Sequence, residues 1–185
     1  MTRRAALVLI PLAALAGCKT SSTSNGSEVS FKPVEPATKA QQAALLDRMK
    51  TLSGTWSTQP HEGAPAGTIV FATTSNGSAV REVMLPGTPQ EMINVYTMDG
   101  PTMVMTHYCA MGNQPHLRAS APTGPHDPIV LKCDGVGNLA SADQMFMGQL
   151  MITFVDDNHI RETWTSFQSG KPAGEHASFE LTRSH

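Results

Sequence analysis

Charge is scarce in this sequence: Asp, Glu, Lys and Arg make up 15% of 185 residues, and the formal net charge is −2. No basic stripe or aromatic-interleaved Lys/Arg run occurs, which argues against nucleic acid as a partner. Catalytic signatures are missing too. There is no Gly-x-Ser-x-Gly, His-Glu-x-x-His, phosphate loop or paired-carboxylate motif. His61, His116, His126, His159 and His185 fit no zinc spacing. No catalytic residue, metal or cofactor is therefore expected. Internal repeats of roughly 20–50 residues are absent, which excludes solenoids and propellers. The apolar run Ala5–Ala16 is too short for a membrane helix, which needs about 20 residues.

That run nevertheless carries information. Thr2-Arg3-Arg4 precedes it and small residues follow it, the layout of a secretory signal. Leu15-Ala16-Gly17-Cys18 resembles the lipobox of bacterial lipoproteins. The resemblance implies cleavage before Cys18, a diacylglycerol on its sulfur, and a mature protein held at a membrane. Each buried CH₂ of such an anchor contributes about 0.8 kcal/mol. Lys19, where an inner-membrane retention signal has Asp, implies the outer membrane, facing the periplasm. The expected organisation is a signal peptide over 1–17, the lipidated cysteine with a flexible Ser/Thr/Asn/Gly-rich tether over 18–36, and one domain over 37–185.

Thr38-Lys39-Ala40-Gln41 reads as a capping box, and Leu45, Met49 and Leu52 recur behind it at helical spacing. Short strands then follow one another, separated by turn signals such as Asn76-Gly77, Asp99-Gly100 and Asp156-Asp157-Asn158. The fold class this implies is all-β: an up-and-down antiparallel β-barrel of about ten strands with one short N-terminal amphipathic helix. Alternation places Met92, Asn94, Tyr96, Met98, Met103, Met105, His107 and Cys109 on one face, taken as the interior. Glu82 shares that face through the Asn76-Gly77 hairpin. In the last strand Ala177, Phe179 and Leu181 point inward. Cys109 and Cys133, an even pair in an exported domain, predict a disulfide.

Leu52-Ser53-Gly54-Thr55-Trp56 carries the Gly-x-Trp that opens the barrel in lipocalins and related calycins. The preceding helix, the β-meander and the late Arg183 are similar as well. The resemblance implies a lipocalin-like barrel in which Arg183 packs across Trp56 and closes one end. Thr106-His107-Tyr108-Cys109 with Gly112-Asn113-Gln114-Pro115 is also similar to a group of bacterial secreted proteins without an established activity, so no functional residue carries over from them.

The candidate site is the interior polar set Glu82, Asn94, Tyr96 and His107, with Glu162 beside Trp164, against a wall that includes Met92, Met103 and Met105. Polar groups facing a barrel interior need partners or a ligand, and a mostly apolar cavity with a few directed polar groups is what a small molecule requires. The expected function is a membrane-anchored envelope protein that binds a small apolar or amphipathic ligand. The alternative is a ligand-free structural or interaction module of the envelope. Copper held by Met103, Met105, His107 and Cys109, haem on a barrel histidine, and an envelope enzyme built on Glu82 and His107 are lesser readings.

Overall fold

Ten antiparallel strands close on themselves in the computed structural model, which describes residues 32–58 and 66–184 (backbone only at 174–176). The strands are β1 (Gly54–Thr58), β2 (Thr68–Thr74), β3 (Ala79–Met84), β4 (Met92–Asp99) and β5 (Thr102–Tyr108). They continue as β6 (Gln114–Ser120), β7 (Ile129–Gly137), β8 (Phe146–Asp156), β9 (His159–Gln168) and β10 (Lys171–Arg183). Each pairs with its sequence neighbour, and β1 pairs with β10 to complete the barrel. Closure gives every strand two neighbours, although β7 and β8 pair only over Ile129–Lys132 and Gln149–Ile152, and so removes most of the free edge that promotes edge-to-edge aggregation. The chain divides into two units, Met1–Lys32 and Pro33–His185, of which the second is the barrel. The expected leader, Cys18 and most of the tether lie outside the described residues. Among the described residues no helix is long and apolar enough to cross a membrane.

The helix begins where the capping box places it: Gln41 N–H donates to Thr38 Oγ1, and Thr38 N–H donates to Gln41 Oε1. It runs as α1 (Lys39–Gln42), a π-helical turn (Ala43–Asp47) and α2 (Arg48–Lys50). Leu45, Leu46, Met49 and Leu52 are all buried and join the interior cluster of the barrel. The helix therefore stoppers the end that carries the β2–β3, β4–β5, β6–β7 and β8–β9 turns. Arg48 donates to Asp127 O and stacks on Phe154 there.

Register follows the hairpin signals closely. Ile69 faces Met84 and Phe71 faces Glu82, the pairing that Asn76-Gly77 implies. In the next hairpin Asp99 pairs with Thr102, so the turn centres on Gly100 and Pro101, one residue later than the Asp99-Gly100 signal suggests. Gly100 adopts φ +57, and a Cβ there would meet Glu35 O at 2.7 Å. A shift of pairing by an even number keeps every side chain on its face.

The disulfide is a correction: Cys109 and Cys133 are both free. Continuous β6 separates their strands. Cys133 pairs with Leu117, Leu117 with Met105, and Cys109 lies four residues beyond Met105. Two strand spacings and four residues of rise put the two cysteines about 10 Å apart across the sheet and about 13 Å along it. A bridge needs Cα atoms within about 7 Å. The Cys133 thiol instead donates to Gly135 O at 3.2 Å, and burial pushes its pKa up.

Candidate functional site

Three adjacent strands build one buried network. Glu82 on β3 pairs with Asn94 on β4, and Asn94 pairs with His107 on β5, so all three side chains share the inner face. Tyr96 follows two residues after Asn94 on that face. Asn94 Nδ2 donates to Glu82 Oε2 at 2.8 Å, and the Tyr96 hydroxyl donates to the same oxygen at 2.6 Å. Asn94 Oδ1 lies 2.7 Å from His107 Nδ1. An amide oxygen only accepts, so His107 carries its proton on Nδ1 and keeps the Nε2 lone pair free to accept.

The fifth member comes from across the barrel. Glu162 on β9 accepts from Trp164 Nε1 at 3.4 Å, and the Trp164 ring lies 5.0 Å from that of His107. Glu82, Asn94, Tyr96 and Glu162 have no exposed surface, and His107 has almost none. Sequence alternation could align Glu82, Asn94 and His107 on one sheet face. It placed Glu162 and Trp164 in the same interior set, but did not show how they reach the others from more than fifty residues away, because that depends on closure.

Burial sets the electrostatics. Glu82 is pushed up to about 7, against the opposing effect of the Asn94 and Tyr96 hydrogen bonds. Glu162 is raised well above the carboxylate range, first by burial and then by the charge of Glu82. Burial also lowers His107 to about 4, so its imidazole is neutral near pH 7, and it raises the Tyr96 phenol. The site thus holds two acids in tension and no opposing positive charge: no Lys or Arg is buried among the described residues. Two carboxyl oxygens, Glu82 Oε1 and Glu162 Oε1, are buried without a hydrogen-bond partner.

The methionines divide by level. Met103 and Met105 are fully buried, Met103 pairing with Met98 toward the stoppered end, so Met103 is packing beneath the helix rather than a wall of the site. Met84 and Met92 pair at the opposite end of β3 and β4, with Met84 Sδ 3.9 Å from Asn94 Nδ2. The inward-facing Met92, Cys133, Ala177 and Phe179 are only partly buried, Phe179 lying across from Glu162. The polar network is therefore bordered by apolar side chains that are not fully buried. Asn113, which alternation did not single out, is also buried and donates to Met145 O at 2.9 Å, tying the β5–β6 loop to the start of β8.

Trp56 and Arg183 occupy the stoppered end. They pair across β1 and β10, and the Arg183 guanidinium lies 4.3 Å from the centre of the Trp56 ring. It donates to Ser53 O, Thr51 O and Asp157 O, while Trp56 Nε1 donates to Leu52 O. Gly54 adopts φ +135, and a Cβ there would lie 3.1 Å from Arg183 Nη1, so the glycine of Gly-x-Trp makes room for the arginine. Among the described residues no group of three or more His, Cys, Asp or Glu is placed to hold a metal ion. No known family model matches the chain, and no curated protein is significantly similar to it.

Proposed function

We propose that this protein is a membrane-anchored envelope protein whose barrel binds a small apolar or amphipathic ligand, polar end inward. One observation carries the reading: Glu82 Oε1 and Glu162 Oε1 are buried and unpartnered beside apolar side chains that are not fully buried. Each such atom costs about 1–3 kcal/mol, and a half-satisfied buried network is less stable than an apolar filling of the same volume. A barrel that only has to stand gains nothing from them. A ligand that donates hydrogen bonds to those oxygens and buries its tail against Met84, Met92 and Phe179 offsets the penalty. Methionine suits the wall, since its unbranched thioether adapts to different shapes.

The helix, the Gly54-Thr55-Trp56 start and Arg183 stacked on Trp56 support a lipocalin-like reading of the barrel. At the N-terminus, Leu15-Ala16-Gly17-Cys18 supports lipidation of Cys18 and attachment to the outer membrane, facing the periplasm. Two measurements test these readings. Native mass spectrometry of the mature Cys18→Ser chain, recovered from the periplasm, is expected to show added mass. A bare mass, together with no binding of amphiphile probes, would mean a ligand-free structural module. Labelled palmitate is expected to enter the wild-type chain and not Cys18→Ser; equal label in both would refute the anchor.

A further inference from the structure

We infer that the ligand is an alkylamine: a protonated primary nitrogen lodged between Glu82 and Glu162, with an apolar tail directed toward the Met84–Met92 end of the barrel. The inference rests on the ligand-binding reading above and names the chemistry of the head group. Acceptors left over in the network decide it. Glu82 Oε2 is already engaged by Asn94 and Tyr96, and Glu162 Oε2 by Trp164. Glu82 Oε1 and Glu162 Oε1 have no partner. His107 Nε2 is left as an acceptor because Nδ1 donates to Asn94. With both carboxyls ionised, three acceptors remain and no donor does. A primary ammonium brings three N–H donors and no lone pair; a hydroxyl brings one donor, and a carboxylate brings none and is repelled by both acids.

Charge points the same way. Glu82 and Glu162 are near enough that the charge of one raises the other, yet no Lys or Arg is buried among the described residues and His107 is neutral. The fold supplies no counter-charge and burial alone favours the neutral acids, so a bound cation is what brings both carboxyls to their ionised form. The rings of Trp164 and Tyr96 belong to the same cluster, and aromatic faces attract a desolvated ammonium. Met84, which covers Asn94, and the partly buried Met92 are the flexible side chains that move to admit the head group.

The test uses three probes that share one tail: hexylamine, 1-hexanol and hexanoate. Each is titrated into the mature Cys18→Ser chain at about pH 8, where alkylamines remain protonated. Binding is read by calorimetry and by tryptophan fluorescence, to which Trp164 contributes. Hexylamine is expected to bind at least about tenfold more tightly than 1-hexanol, the usual advantage of charge-assisted hydrogen bonds, and hexanoate most weakly. Glu162→Gln is expected to remove that preference, bringing hexylamine to within about threefold of 1-hexanol on the same variant, with Glu82→Gln as the second variant should the first fold poorly. Equal affinity for amine and alcohol would overturn the amine and leave the ligand-binding barrel standing. Binding of none of the three would overturn both.

Discussion

Asn94 joins two parts of a buried network that neither Glu82 nor His107 completes alone. Its amide nitrogen serves the carboxyl and its amide oxygen serves the imidazole. Asn94→Leu keeps much of the volume but removes both contacts, and is expected to cost about 3 kcal/mol in urea unfolding; a change below about 1 kcal/mol would show that the network contributes little. Titration gives a second prediction. Burial raises Glu82 from 4.5 to about 7, so the fold prefers its neutral form. That contribution is complete below pH 4.5 and is lost as pH rises to about 7, amounting to about 3 kcal/mol at roughly 1.4 kcal/mol per pH unit. Glu162 acts in the same sense. His107, lowered from 6.5 to about 4, acts in the opposite sense: its contribution is complete above pH 6.5 and is lost as pH falls to about 4. The slopes oppose each other between 4.5 and 6.5, and above 6.5 only the carboxyls remain. Stability should therefore fall by at least about 1 kcal/mol between about pH 6.5 and 8.5, and less in Glu162→Gln. A flat wild-type profile would refute this.

The helix and β1 act as one closure with β10. Arg183 bridges three carbonyls from two segments and covers the Trp56 ring. Lysine has neither the planar fork nor the reach to hold all of them. Arg183→Ala is expected to lower stability by about 2 kcal/mol and Arg183→Lys by nearly as much; full retention by Lys would reduce the role to charge. The helix was well marked in the sequence, because capping and the Leu45, Met49, Leu52 spacing are local signals. Strand limits were less legible. β6 starts at Gln114, β7 runs to Gly137, β8 begins at Phe146 and β10 at Lys171, each longer than its apolar alternation indicates. Bulges cause much of this, since the register shifts at His116/Leu117 and at Met147/Gln149 break the period of two. Gly148 sits inside the second shift, where a Cβ would lie 2.3 Å from Phe167.

Across the whole molecule, stability comes from closure and a continuous interior rather than from a covalent staple. Cys109→Ser/Cys133→Ser, and the wild type with or without reductant, are expected to melt within about 2 °C of one another. Loss of a native disulfide would cost about 2–5 kcal/mol, so a large drop on reduction would restore the bridge. The inference of a disulfide failed for a physical reason: compartment and parity say that two cysteines are able to pair, whereas distance across an intervening strand says whether they do.

What the sequence determined by itself was whatever local physics encodes. Turn residues and alternation set the hairpins, their faces and hence an all-β antiparallel barrel, and the capping box set the helix. Tertiary structure decided the rest, because closure brings β9 within reach of β3 through β5. Only then do Glu162 and Trp164 meet Glu82 and His107, two acids share an interior without a cation, and Cys109 and Cys133 end up too far apart to bond.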